Sequence, residues 1–309
     1  MSKEVSPENR TFMVAGHVLP AKPLPAGLYL VATPIGNLGD ISLRALETLA
    51  AADVIACEDT RVSHKLLERY GIQASLSPYH EHNAAAARPK LIERMQAGAA
   101  IALISDAGTP LISDPGYKLV RAAQEQAIAV TAIPGASSVL AALNVAGLPT
   151  DRFFFEGFLP AKQQARRTRI DGLARIPATL VLFESGTRIA DVLADLAETL
   201  PTREAAICRE LTKLHEEMRR DTLPALAAHY AGDAETRGEF VIVVAPPDED
   251  ALAASAEDVD GLLRRTLGET TLKDAVAIVA DATGQPRREI YQRALALAKS
   301  GNTSDGTRT

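Results

Sequence analysis

The residues most able to do chemistry in this chain lie in a few short, irregular stretches. The densest is Ser105-Asp106-Ala107-Gly108-Thr109-Pro110-Leu111-Ile112-Ser113-Asp114-Pro115-Gly116. It holds two Ser-Asp pairs, two glycines and two prolines, whereas most connections take about 2–6 residues. Small residues let a ligand approach the backbone closely, so this stretch is expected to hold one. Thr33-Pro34-Ile35-Gly36-Asn37-Leu38-Gly39-Asp40 is a second Gly/Pro loop. It is either a plain turn or a loop whose N–H groups face a ligand. It matches neither a dinucleotide fingerprint nor a P-loop. Pro134-Gly135-Ala136-Ser137-Ser138 leaves room for a flat ligand.

Glu58-Asp59-Thr60-Arg61 puts two acids and a base together. That set suits acid/base work or polar recognition. With equal weight, Asp59 or Thr60 caps a helix and Arg61 is its ion partner. His80 and His82 flank Glu81 in Tyr79-His80-Glu81-His82-Asn83. The spacing fits no zinc motif, so a polar loop or substrate contact is favoured and no metal is expected. There is no Gly-x-Ser-x-Gly nucleophile elbow. Between Arg152 and Arg175, six basic residues face two acids, a net +4 within an acidic chain. Lys162, Arg166 and Arg169 fall at i, i+4 and i+7 of a predicted helix that also carries Arg167. This is a phosphate-binding patch or a solvated helix face.

These stretches follow strands. Apolar runs at Leu28–Ala32, Asp53–Cys57, Ala100–Ile104 and Ala129–Ile133 read as strands. Helices are predicted from Asp40 to Ala51, Ser63 to Tyr70, Ala87 to Gln96, the Asp114-Pro115 cap to Gln126, and Ala136 to Ala146. Such alternation makes a mostly parallel sheet with helices on both faces, and ligands bind beyond the carboxyl ends of its strands. Strands at Phe153–Phe158, Thr179–Phe183, Ala205–Cys208 and Phe240–Ala245, with helices at Lys162–Arg175, Ile189–Leu200 and Leu223–Tyr230, form a second α/β domain.

The domain expectations are a disordered leader over 1–25, an α/β domain over 26–149 and another over 150–247. A linker over 248–258, a helical tail over 259–300 and a disordered end over 301–309 follow. Helical spacing in the tail picks out Leu262, Leu263, Leu267, Leu272, Val276, Val279, Ile290, Ala294 and Leu297. Residues 271–298 have a helix–turn–helix look, with the turn at Thr283-Gly284-Gln285-Pro286.

The 309 residues are 47% hydrophobic and 23% charged, enough for about two folded domains and far from a disordered composition. Two cysteines, Cys57 and Cys208, build neither a disulfide framework nor a four-thiolate zinc site, and read as buried packing residues. No signal-peptide core or apolar run of about 18 residues is present, so a cytoplasmic location and no membrane contact are expected. A net charge of −6 confines any nucleic-acid contact to a local patch.

Taken together, the motifs resemble the tetrapyrrole-methylase superfamily, and within it the branch that methylates ribose 2′-hydroxyls of 16S ribosomal RNA. The residues that carry this are 33–40, 58–61, 79–83, Ser-Asp-Ala-Gly-Thr-Pro at 105–110 and Ser-Asp-Pro-Gly-Tyr at 113–117. Pro-Gly-Ala-Ser at 134–137, Gly-Leu-Pro-Thr-Asp-Arg-Phe at 147–153 and Arg-Glu-Leu-Thr-Lys at 209–213 complete the set. Glu184-Ser185-Gly186-Thr187-Arg188 departs from the pattern, since many relatives have Pro-His in place of Gly-Thr.

The resemblance implies two α/β domains of the class III S-adenosylmethionine methyltransferase type plus a small helical extension. It implies S-adenosylmethionine bound between the domains. The contacts carried over are Thr33, Pro34, Ser105, Asp106, Ala107, Leu111, Ala136 and Ser137, with Phe183, Leu211 and Glu239 from the second-domain side. It implies a cytidine in the decoding region of 16S ribosomal RNA as the methylated nucleotide, 16S ribosomal RNA or the small ribosomal subunit as partner, and a homodimer. For the reaction, Glu58, Asp59, Lys65 and His80 are candidate proton acceptors, and Arg61 suits a phosphate. The RNA backbone is expected on Lys162, Arg166, Arg167 and Arg169. Two other readings share these motifs: a methyltransferase of tetrapyrroles or other small molecules, and a non-catalytic RNA-binding protein.

Overall fold

The computed structural model describes residues 10–113, 116–283 and 285–301. They fall into two compact units. One is the chain up to Ala146 with Ile207–Arg219 and Gly238–Val241; the other is Gly147–Ala206, Arg220–Arg237 and the chain from Ile242 onward. The first break lies near the expected boundary at 149. The sequence suggests contiguous domains, but two later segments belong to the first unit.

Residues 10–25 correct the expectation of a disordered leader. β1 (Thr11–Val14) and β2 (His17–Pro20) form an antiparallel hairpin. Ala15 and Gly16 turn with φ of 50° and 82°, the positive pair that matches strand twist in a two-residue hairpin. Phe12 buries its ring in the first unit's core. The Arg10 guanidinium ties the hairpin down, donating to the Ala51 carbonyl and to Asp53 Oδ1.

The first unit is then β3 (Gly27–Val31), α1 (Leu43–Ala51), β4 (Val54–Cys57), α2 (Thr60–Arg69), β5 (Leu76–Pro78), α3 (Ala84–Gln96), β6 (Ala100–Leu103), α4 (Tyr117–Glu125), β7 (Val130–Ile133) and α5 (Ser138–Ala146). The strands form one parallel sheet in the order β5-β4-β6-β3-β7. Separate apolar clusters cover its faces: Val31, Ile55 and Cys57 belong to one, and Leu28, Ala56 and Leu103 to the other. Every candidate loop of this unit therefore starts at a strand's carboxyl end.

Several helix starts differ from the sequence reading, α3 beginning at Ala84 rather than Ala87 and α5 at Ser138 rather than Ala136. Asp40 closes a 3-10 turn, and Ser42 caps α1 by accepting from the Ala45 amide (3.1 Å). Helix α2 begins at Thr60, not Ser63, because Asp59 Oδ1 accepts from the Arg61 amide (2.8 Å). The expected Asp114-Pro115 cap lies outside the described residues; Gly116 precedes α4.

The second sheet has the order β11-β10-β12-β9-β8. Its strands are β8 (Phe153–Phe158), β9 (Thr179–Ser185), β10 (Glu204–Arg209), β11 (Glu217–Thr222) and β12 (Glu239–Val244). β8 and β9 are parallel, with a bulge at Glu156. β10 and β12 run oppositely, since the Glu210 amide donates to Glu239 and the Ala245 amide to Glu204. Helices α6 (Gln163–Leu173), α7 (Ile189–Thr199) and α8 (Leu223–Tyr230) accompany them.

The expected linker over 248–258 is corrected too. Residues from 249 are helical, as part of α9 (Glu249–Glu269). The Ala- and Glu-rich composition that suggests a linker is also strongly helix-forming. With α10 (Leu272–Thr283) and α11 (Arg287–Gly301), α9 encloses a small core of Val259, Leu263, Val276, Val279, Ile290 and Ala294. Five of these six are positions that the helical spacing selects. The expected disordered end, after Gly301, lies outside the described residues.

Candidate functional site

Hydrogen bonds tie four strand-end loops of the first sheet into one ledge. The loops after β3 and β6 pair as a short antiparallel bridge: the Thr33 amide donates to Gly108 O (2.9 Å), and the Gly108 amide to Thr33 O (3.0 Å). The buried Thr33 hydroxyl donates to Ser105 O (3.1 Å). The Ser105 hydroxyl, also buried, reaches the Ala107 and Gly108 carbonyls at 3.2 and 3.3 Å. Thr109 Oγ1 donates to Ala136 O in the loop after β7 (3.2 Å). Asp106 Oδ1 accepts from the Asp59 amide in the loop after β4 (3.0 Å).

The small residues have steric reasons. A Cβ on Gly135 would come within 3.0 Å of Ala32 Cβ. Gly108 has φ of 79°, where a side chain costs about 1–2 kcal/mol. Leu111 and Ser113 adopt φ of 76° and 63° despite their side chains. Strained backbone of this kind clusters at functional sites.

The ledge brings together Thr33, Ser105, Asp106, Ala107 and Ala136. Asp106 and Ala107 are exposed, Pro34 is buried, and Leu111 and Ser137 are half-buried. Leu211, buried, and Glu239, exposed, belong to the same unit. Phe183 belongs to the second unit, its ring edge-on to Phe155 and Phe158 at 4.9 and 5.7 Å.

The sequence reading of the 209–213 motif singles out Leu211 and misses the residues around it. The Glu210 carboxylate accepts from Lys213 Nζ (2.8 Å) and from the Glu239 amide (2.9 Å), and Lys213 also pairs with Glu239 (2.6 Å). Burial works to raise the Glu210 carboxyl. The Lys213 and Glu239 hydrogen bonds outweigh it and hold the group below the usual glutamate range. Burial likewise opposes the Lys213 charge, but the two carboxylates win and raise its pKa. Lys213 lies against the loop after β3, where a Cβ on Gly36 would sit within 3.0 Å of its chain and of Thr212 Oγ1. Glu210 and Thr212 both have positive φ, 51° and 67°. An acid and a base three residues apart at a strand end are the available sequence signal.

Among the proton-acceptor candidates, Asp59 takes the capping role. Its carboxylate holds the Arg61 amide and guanidinium (2.6–3.1 Å), and the Arg61 side-chain bond, with the amide bond, lowers its pKa to about 2. So weak a base accepts a proton poorly near neutral pH. Arg61 is committed to Asp59. Glu58 and Lys65 are exposed. His80 is half-buried; its amide donates to Asn83 Oδ1 (2.9 Å), and its ring lies 6.1 Å from that of His82. Among the described residues, no group of three or more His, Cys, Asp or Glu could hold a metal ion. Cys57 and Cys208 are buried and free, and burial pushes the Cys208 thiol up to about 12.

The expected RNA-binding set on α6 is corrected at Arg166. Positions 166, 170 and 173 are buried, so Arg166 points inward. It is 4% exposed and donates to Asp195 Oδ2 (2.6 Å), itself 1% exposed. Arg167 pairs with Asp195 and Glu198, and Arg169 holds Glu156 at 2.5–2.6 Å. Lys162 stays exposed, at the N-cap. The three arginines of the helix are thus met by Glu156 within the stretch and by Asp195 and Glu198 beyond it.

The architecture is that of the class III methyltransferases: a parallel sheet with a tied strand-end ledge, a second sheet and a helical extension. The chain belongs to the tetrapyrrole (corrin/porphyrin) methylase family, whose model matches residues 27–227. Residues 253–298 match the RsmI C-terminal HTH domain. The chain is 52% identical to the ribosomal RNA small subunit methyltransferase I of Mesorhizobium japonicum, over 95% of this chain and all of that one. It is 46% identical to the protein of the same name from Pseudomonas aeruginosa, over 87% and 96% of the two chains. In fold it is similar to a uroporphyrin-III-C-methyltransferase from Thermus thermophilus (TM-score 0.51, 21% identity, 75% and 98% of the chains). It is also similar to a diphthine synthase (TM-score 0.55, 19% identity, 71% and 89%). No helix among the described residues is long and apolar enough to cross a membrane.

Proposed function

We propose that this chain transfers a methyl group from S-adenosylmethionine to the ribose 2′-hydroxyl of a cytidine in 16S ribosomal RNA. The observation that carries the reading is the continuity of the likeness: it runs through both the methylase region and the helical tail of relatives named as small-subunit RNA methyltransferases. The ribose and cytidine detail rests on the motif resemblance. The basic stretch on α6 no longer separates RNA from small-molecule substrates, because its charges are internally paired. The likeness at 52% identity makes that separation instead.

The ledge fits such a cofactor. Exposed Asp106 offers a carboxylate to a cationic ligand, and beside it stand the small residues Ala107, exposed, and Ala136 and Ser137, half-buried. Thr33, Pro34, Ser105, Asp106, Ala107, Leu111, Ala136 and Ser137 would hold it, and Phe183, Leu211 and Glu239 remain further candidates. The bound cofactor supplies an electrophilic methyl on a sulfonium. The chain must then align the ribose hydroxyl in line and accept its proton. The Thr33–Gly108 bridge and the Thr109–Ala136 bond hold the ledge by contacts within the chain itself, and such rigidity reduces the ordering cost of binding. Glu58, Lys65 and His80 are the acceptors left once Asp59 is committed to Arg61.

The working form is read as a homodimer in the cytoplasm, where that substrate is made; sedimentation checks the first point. The decisive experiment maps 2′-O-methylation in 16S ribosomal RNA from cells with and without the gene. Loss of one cytidine methylation, restored by the gene, is expected. An unchanged map would overturn the reading.

A further inference from the structure

The first unit carries a groove of about 480 Å³ between helix α3 and the edge strand β5, lined by Ser77, Asn83, Ala87, Lys90, Glu93 and Arg94. Asn83, Ala87, Lys90 and Arg94 are spaced so that they share one face of α3. Alanine at 86 and 87 leaves the upper part of that face open. Lys90 and Arg94 are exposed, one turn apart, and neither has an ion-pair partner among the described residues. Glu93 is the single acid in the lining. The groove thus joins two cations to the Ser77 hydroxyl and one acid, while the Asn83 side chain accepts from the His80 amide (2.9 Å) and donates to Pro78 O (2.9 Å).

The edge strand argues against a protein strand as occupant. β5 has three residues and ends in Pro78, which has no amide hydrogen to offer. A polyanion that needs only fixed positive charges fits better. The groove also has a direction. Its helix starts directly after the Tyr79–Asn83 stretch at a strand end of the first sheet, and Asn83 to Arg94 spans roughly 16 Å along the axis. We propose that this groove holds the sugar-phosphate backbone of the substrate RNA, with Lys90 and Arg94 each on a phosphate. The inference rests on the RNA reading of the preceding section.

The test compares the full-length protein with Lys90→Ala/Arg94→Ala and Lys90→Glu/Arg94→Glu. Affinity for a 16S ribosomal RNA transcript is measured at several salt concentrations, alongside calorimetric S-adenosylmethionine affinity and methylation of small ribosomal subunits. Both positions are exposed, so the variants should fold, which melting curves check. The expected result is at least a tenfold loss of RNA affinity at low salt for the alanine pair, and a larger loss for the glutamate pair. The salt slope should flatten by about 1.5, from the counterions no longer released at two phosphates. Cofactor affinity should not move. Equal RNA affinities and slopes in a protein that still methylates would overturn the groove alone. A wild-type protein that neither binds nor methylates the RNA would overturn the functional reading as well. Unchanged affinity for naked RNA with lost affinity for the assembled subunit would assign the groove to a ribosomal protein and overturn the RNA proposal.

Discussion

Helices α6 and α3 carry similar basic side chains and put them to opposite uses. On α6 the three arginines are each bound to carboxylates: Arg166 and Arg167 to Asp195, Arg169 to Glu156. On α3, Lys90 and Arg94 line a groove with no such partner among the described residues. A run of charge in the sequence is therefore not a surface patch. What matters is which face is buried and which acids other elements bring to it. Burial demands a partner for a charge, whereas an exposed cation needs none.

The sharpest way to break this contrast is Arg166→Ala, which leaves Asp195 buried with a major partner gone. A loss of about 3–5 kcal/mol in unfolding free energy is expected, measured by urea denaturation. A loss under about 1 kcal/mol would show that Asp195 does not depend on this arginine. The same pair sets an acid limit. Burial alone would raise the Asp195 carboxyl, but the Arg167, Arg166 and Gln163 hydrogen bonds outweigh it, and the group titrates below its usual value. The folded state then binds fewer protons than the unfolded one. Its stabilisation is full above the ordinary carboxylate pKa of about 3.9 and is lost as pH falls through the lower folded value. Denaturation curves from pH 6 to pH 2 should show this acid-side loss diminished in Asp195→Asn.

A second, smaller effect tests the ledge. Asp106→Arg puts a cation where the cofactor's positive charge is read to sit and breaks the bond to the Asp59 amide. S-adenosylmethionine affinity should fall more than tenfold, or about 1.4 kcal/mol. Unchanged calorimetric affinity in a folded variant would remove Asp106 from the site.

Truncation after Pro247 tests whether α9–α11, with a core of their own, are dispensable to that ledge. Cofactor affinity should survive and activity on the ribosomal substrate should drop. An insoluble product would show that the tail completes the main fold. Smallest of all, Arg169→Ala should cost no more than about 1 kcal/mol, because its pair with Glu156 is partly exposed. RNA affinity should keep its salt slope. A slope that flattens by about one would restore α6 as an RNA-binding face.

Much of the fold is legible in local residue chemistry. The apolar runs at 28–32 and 100–104 are long and uninterrupted enough to be buried parallel strands, and β3 and β6 lie there. The tail's 3.6-residue spacing picks out Leu263, Val276, Val279, Ile290 and Ala294, all of which are buried. β5 escapes because three residues carry no periodicity. The β1–β2 hairpin escapes because Arg10 acquires its partners only across about 40 residues of chain, and Phe12 packs into a core built by later segments. Helix α9 escapes because the same Ala-rich, acidic composition describes a linker and a helix.

The site divides in the same way. The sequence by itself set three loops apart. Ser105–Gly116, Thr33–Asp40 and Pro134–Ser138 are rich in glycine, proline and small residues. Their place after strands puts them at one sheet edge. Tertiary structure alone decided how those loops are joined and which charges remain free. The Asp59–Arg61 pair is local and is among the sequence readings, whereas the Thr33–Gly108 bridge and the Lys213–Glu239 pair join segments far apart in the chain. Arg166 turned inward for the same reason. Its helix lies with 166, 170 and 173 toward the core, and Asp195 on α7 was the acid waiting there. Residue type and spacing fix what a side chain is able to do. Its partner, and so its charge and availability, is set by segments that only the fold brings within about 3 Å.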